Sequence, residues 1–151
     1  VRLADAAATR RFGAALASQL GAGDTVLLSG SLGAGKTTLA RGILAGLGYV
    51  GEVPSPTFTL VQAYEPPAVR LPVWHMDLYR LNRPEEALQL GWEEALETGA
   101  CLIEWPDRLG LAAPADALHL MLSVQPDGHA LEWHGPSSWL ERIAKLGQEQ
   151  R

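Results

Sequence analysis

Apolar positions recur along this chain with changing period, and the changes outline its elements. Between Ala4 and Gly23, alanines and leucines fall at helical spacing around Phe12, Leu16 and Leu20, and Gly21 and Gly23 suit a helix end. The short apolar run "DTVLLSG" predicts a buried strand from Thr25 to Ser29. A glycine-rich turn follows, then a second helical pattern, "KTTLARGILAGLG", reaching about Leu47 with Gly48 as its C-terminal cap. After a loop rich in Gly and Pro, "TFTLVQAYE" predicts a strand from Thr57 to Tyr64, and "PPAVRLP" a turn. "VWHMDLY" reads as a strand that stops on Asp77, and "ACLIEW" as another that stops on Glu104. Between them, "RPEEALQLGWEEALETG" predicts two short helices broken near Gly91. Two alternating runs joined by "PDG" predict a hairpin within Asp116–Gly135. "PSSWLERIAKLGQ" closes the chain as a helix, with Ser137 or Ser138 as its cap and Glu141 at capping-box distance from Ser138.

The turn after the first strand carries chemistry. Gly30–Ser31–Leu32–Gly33–Ala34–Gly35–Lys36–Thr37 fits G-x-x-x-x-G-K-[ST] at every fixed position, with a strand before it and a helix after it. Glycines let backbone N–H groups converge, and with the helix N-terminus they hold phosphate oxygens. Lys36 is placed to meet the β- and γ-phosphates, the Thr37 hydroxyl to ligate Mg²⁺, and Thr38 to lie beside the α-phosphate. These residues predict nucleotide binding.

In open α/β sheets function gathers beyond the carboxyl ends of the strands. Asp77 and Glu104 both stand there, and one such acid is needed to hold Mg²⁺, directly or through water. Sequence alone leaves their division of roles open. Thr57, in "PSPTF", is a third candidate, because loops that sense a γ-phosphate use a threonine hydroxyl in that part of the chain. His75 lies two residues before Asp77 and shares its strand face. A histidine serving the core is the plainer expectation, with a hydrogen bond near the site as the alternative. Arg80, Arg83 and Arg108 are candidates for phosphate or for solvent, and Trp105 for a lid or a partner contact.

The fold class expected is α/β: a P-loop NTPase-type sheet with a parallel core, an antiparallel C-terminal hairpin and flanking helices. At 151 residues, without repeats or long linkers, residues 1–151 read as a single domain. A chain 47% hydrophobic and 19% charged is not a disordered one. Its formal net charge of −5 makes it a poor grip on nucleic acid by itself, which needs clustered Lys and Arg. Cys101, the one cysteine, excludes an internal disulfide and reads as a small buried thiol. No signal core or membrane-length apolar run is present, so a cytoplasmic protein is expected. Val1 in place of Met suggests a processed or trimmed start.

"GSLGAGKTTLARG", "SPTFTLVQAYE", "HMDLYRL" and "LIEWPDRL" occur in the order and spacing of the TsaE family, also called YjeE, which the chain resembles from the phosphate loop to about Leu109. The resemblance implies a Mg²⁺-dependent ATPase of tRNA threonylcarbamoyladenosine formation, acting on ATP with ADP as product. It implies TsaD and TsaB as partners, tRNA reached only through that complex, and neither membrane nor DNA. Hydrolysis would activate or reset the complex for further turnovers. By the same resemblance Gly33, Ala34, Gly35, Lys36, Thr37 and Thr38 form the phosphate cradle. Thr37 and Glu104 would ligate Mg²⁺, Asp77 would support metal or water, Thr57 is the switch-like threonine, and Trp105 is the tryptophan after the family's glutamate. Ser31 stands where an acid is common, Met76 where Phe is common, and Asp107 where Glu or Gln is frequent. A small-molecule kinase and a non-hydrolysing ATP-binding module remain as alternatives. A GTPase does not, because no Asn-Lys-x-Asp guanine reader is present.

Overall fold

A strand covered on both faces must be apolar at nearly every position, and the runs "TVLL" and "ACLI" meet that demand. In the computed structural model, which describes residues 2–31, 35–54, 56, 61–81, 83–89, 91–107, 109 and 113–149, they form the middle of the sheet. β2 (Thr25–Gly30) lies parallel to β5 (Ala100–Glu104) on one side and to β6 (Leu118–Gln125) on the other. β4 (Val73–Asp77) runs parallel to β5 beyond it. β3 (Val61–Tyr64) pairs antiparallel with β4 at one edge, and β7 (Gly128–His134) pairs antiparallel with β6 at the other. A two-residue strand, β1 (Arg2–Leu3), completes that second edge against β7. Among the described residues the sheet order is β1-β7-β6-β2-β5-β4-β3. The expected hairpin is there, and its first strand also belongs to the parallel core.

α1 (Ala6–Ala17) and α2 (Lys36–Gly46) cover one face of the sheet. Val26, Leu28, Val73, Leu102, Leu118, Leu120 and Leu122 form a core with Leu16, Leu39, Ile43 and Leu44 on these helices. Asp5 begins α1 as its N-cap, its Oδ1 accepting from the Ala8 N–H at 2.8 Å. α2 ends at Gly46, and Gly48 supplies the left-handed residue, φ +106°, that the exit requires. The two helices touch through small residues. A Cβ added at Gly13 would lie 2.6 Å from the Leu39 carbonyl oxygen, and one at Gly42 would strike the backbone of Arg10. Close backbone approach at this crossing therefore depends on glycine.

The other face is covered by α4 (Trp92–Ala95), which follows α3 (Pro84–Gln89), and by residues just after β4 and β5. There Leu27, Met76, Cys101 and Ile103 pack with Leu78, Leu81, Trp92 and Leu109. Cys101 is fully buried, and burial pushes its thiol up to about 12. α5 (Ser137–Glu149) returns to the first face with Trp139 and Leu146. Its Arg142 lies on the Trp139 ring and donates to Asp24 Oδ2 at 2.7 Å, fastening the last helix near the start of β2.

The break between α3 and α4 falls near Gly91 as expected, and Gly91 itself is the N-cap of α4 at φ +82°. The final helix departs from expectation at its start. Ser137 and Ser138 are already helical, and the Trp139 N–H bonds to the Pro136 carbonyl at 2.9 Å. The turn thus begins before either serine. Of the strand expected over Thr57–Tyr64, Val61–Tyr64 is observed, and residues 57–60 lie outside the described residues.

Candidate functional site

Parallel pairing of β4 with β5 places Asp77 directly opposite Glu104. Adjacent strands lie about 4.8 Å apart, so the two acids that the sequence put at separate strand ends become neighbours. Val73, His75 and Asp77 share one face of β4, and Leu102 and Glu104 share the same face of β5. That face looks toward α2, whose first turn carries Lys36 and Thr37.

The charged groups here and His75 are withdrawn from solvent, and Thr37 is half-buried. Relative exposure is 5% for Lys36, 4% for Asp77, 2% for Glu104 and 0% for His75. The Thr37 hydroxyl donates to Glu104, at 3.1 Å from Oε1 and 3.2 Å from Oε2. His75 Nε2 lies 2.6 Å from Glu104 Oε2. Asp77 Oδ1 accepts from the Tyr79 N–H at 2.9 Å, which turns the chain as it leaves β4.

Lys36 folds back on its own loop. Its Nζ donates to the carbonyls of Gly30, at 2.7 Å, and Ser31, at 3.0 Å, and stands 4.3 Å from the centroid of the Trp105 ring. Burial lowers the Lys36 ammonium below its ordinary value, while the charges of Glu104 and Asp77 pull it the other way. Trp105 holds this place with a backbone φ of +60°, a left-handed conformation that costs a bulky residue about 1–2 kcal/mol. Its N–H bonds to the Leu28 carbonyl at 3.2 Å, and its ring meets that of Tyr79 with centroids 4.8 Å apart.

The structure therefore brings Lys36, Thr37, Asp77, Glu104 and Trp105 together. Gly35 precedes them as the left-handed N-cap of α2, at φ +103°, and Thr38 lies in the first turn of the same helix. Gly33, Ala34, Thr57 and Arg108 lie outside the described residues. Arg80 is exposed, and Arg83 is exposed with its Nε 4.0 Å from Glu86. Sequence reasoning had no signal for Tyr79 against Trp105. It had only the shared strand face for His75, whose contact with Glu104 needs the register of β4 on β5. The Thr37 hydroxyl and the two carboxylates are hard oxygen donors, the set that suits Mg²⁺, which takes one or two carboxylates and completes its shell with phosphate and water. A hydroxyl, two acids and a lysine at the start of a helix that follows a glycine-rich turn can together receive a phosphate chain and a divalent cation.

The sequence matches the family model for "Threonylcarbamoyl adenosine biosynthesis protein TsaE" over residues 3–130. The chain belongs to the TsaE family. Among TsaE proteins it is similar to the tRNA threonylcarbamoyladenosine biosynthesis protein TsaE of Treponema pallidum, 39% identical over 122 residues, covering 80% of this chain and 88% of the relative. The protein of that name from Synechocystis is 43% identical over 111 residues, covering 71% of this chain and 69% of the relative. The crystal structure of Bacillus subtilis YdiB has the same fold, with a TM-score of 0.83 and 27% identity, covering 100% of this chain and 95% of that one. The TsaE match and this likeness bear out the resemblance and the α/β sheet with its parallel core. No helix among the described residues is long and apolar enough to cross a membrane.

Proposed function

We propose that this TsaE-family chain is a Mg²⁺-dependent ATPase whose hydrolysis activates or resets a TsaD–TsaB pair during tRNA threonylcarbamoyladenosine formation. The observation that carries the reading is the contact of Thr37 with Glu104, beside Lys36 and Asp77, at the start of α2. In a phosphate-loop enzyme, positioning and electrostatic stabilisation supply almost all of the rate. Residues 30–37 would cradle the phosphates, with Lys36 leaving the Gly30 and Ser31 carbonyls for phosphate oxygens. Thr37 and Glu104 would hold Mg²⁺, and Asp77 would support the metal or orient water. Bound there, Mg²⁺ would neutralise charge that develops on the phosphates. Thr57 is proposed as the residue that senses the γ-phosphate. Partner stimulation fits a site whose lysine is already engaged by its own loop and by Trp105.

The decisive experiment measures ATP hydrolysis by the protein alone and with purified TsaD–TsaB, beside Lys36→Ala. Slow turnover alone and clear stimulation by the pair, lost in Lys36→Ala, is expected. ATP binding without any stimulation would overturn the proposal. Hydrolysis that depended on an added hydroxyl acceptor would point to a kinase instead.

A further inference from the structure

His75 breaks a local rule. It occupies the middle of a parallel strand, is fully buried, and has Val73 and Met76 near it in sequence and Leu102 opposite it in register. An apolar side chain is what such a position asks for, since burying a polar ring costs free energy unless its hydrogen bonds are made. Its hydrogen-bond partner is Glu104. With Glu104 ionised, as a cation ligand is, its oxygens only accept, and His75 Nε2 is then the donor of the 2.6 Å contact. Nδ1 has no hydrogen-bond partner among the described residues.

Glu104 is the group that this contact serves. Its side chain has three rotatable bonds, and among the described residues its two oxygens meet only Thr37 and His75. The Thr37 contact is split between both oxygens. A hydroxyl that turns a lone pair to a cation no longer aims its proton at Glu104 in that way. The imidazole, by contrast, is fixed by burial and by a strand, and it approaches Oε2 alone.

We propose that His75 is a positioning residue for the divalent cation. It fixes Glu104 through Oε2, so that Oε1 is presented on the Thr37 side. The inference rests on the proposed role of Glu104 as a Mg²⁺ ligand. Partners that orient a ligating carboxylate commonly change metal affinity 10–100-fold when removed.

The test is equilibrium binding of adenylyl imidodiphosphate, a non-hydrolysable ATP analogue, first in EDTA and then across a Mg²⁺ series. It compares the parent with His75→Leu, His75→Asn, His75→Gln and Glu104→Gln. The amide nitrogen of Gln reaches about as far as His Nε2, whereas that of Asn falls short. Metal-free affinity is expected to stay within about twofold in all three His75 variants. The Mg²⁺ concentration that gives half the metal-dependent gain should rise by about tenfold or more in His75→Leu and His75→Asn, and return near the parent value in His75→Gln. A histidine that only packs would move melting temperature and leave that midpoint in place. An unchanged midpoint in a folded His75→Leu, or equal midpoints for Asn and Gln, overturns the inference. Should His75→Leu fail to fold, the Asn and Gln pair decides alone. Mg²⁺ dependence that survives Glu104→Gln would overturn the reading of Glu104, and the positioning role with it. Dependence lost in Glu104→Gln but intact at His75 would overturn only the positioning role.

Discussion

Asp77 and Glu104 are neighbouring acids at the ends of two paired strands. Both are almost wholly buried, and the charges of both act on Lys36. An amide of the same shape keeps the packing and removes one of two neighbouring like charges, while the other acid still faces Lys36, so Asp77→Asn and Glu104→Gln should fold as well as the parent or better. If these acids hold metal and water, hydrolysis should nevertheless fall by about 10²–10³-fold, the scale seen when one electrostatic contributor is removed from an active site. Stimulated ATPase rates and melting curves on the same samples check both halves. Unchanged rates in both variants would remove the strand-end acids from the chemistry. Each acid was legible in sequence because an apolar run stopped on it. Their adjacency was not, since it needs the pairing of strands 27 positions apart in the chain, Asp77 on Glu104. The His75–Glu104 contact was hidden for the same reason. The left-handed backbone of Trp105 had no sequence signal at all, because a bulky residue is the last to be expected there.

Among the elements, α1 packs closely on α2, the helix that opens with Lys36 and Thr37. Gly42 lies in the middle of α2 against the backbone of Arg10. Ala is the better helix former by about 1 kcal/mol, which alone would stabilise the protein. Here the added methyl meets backbone, which cannot rotate away, and overpacking costs about 1–3 kcal/mol. The steric term should win, and Gly42→Ala should lower the melting temperature by several degrees, read by calorimetry. A rise would show that the helices can part without penalty. Most elements were visible beforehand because their hydrophobic period was unbroken and their ends carried Gly or Pro. Three features were not. β1 is two residues long, too short to have a period. Nothing in the sequence of β3 says that it runs against β4 rather than along it. Ser137 and Ser138 both suit a cap, yet Pro136 already opens the turn through its carbonyl.

For the whole molecule, pH acts through His119 on β6. Its Nε2 lies 2.8 Å from Ser29 Oγ at the end of β2. Burial, and then the neighbouring His134, lower its pKa from the ordinary 6.5. Between 6.5 and that lowered value the unfolded chain takes up a proton that the folded chain does not. This contribution to stability is complete above pH 6.5 and is lost as pH falls through the folded value. His119→Gln keeps a polar group near Ser29 and should flatten the decline of urea-unfolding stability in that window. A decline as steep as in the parent would assign the acid sensitivity to other groups.

Cys101, the one cysteine in the chain, is fully buried on the sheet face that α4 covers. Nucleophilic attack needs the thiolate, and a thiol pushed to about 12 supplies almost none at neutral pH. Native protein should therefore be inert to Ellman's reagent, with one equivalent released only after unfolding in guanidinium; rapid reaction of the native protein would show the sheet face to be open. A silent native thiol leaves the surface free for chemistry of the experimenter's choosing. One cysteine introduced at an exposed position such as Glu97 would carry a fluorophore or spin label by itself, with no background and no need to remove Cys101 from the core. The molecule is thus ready for single-reporter spectroscopy of its encounter with the proposed TsaD–TsaB pair.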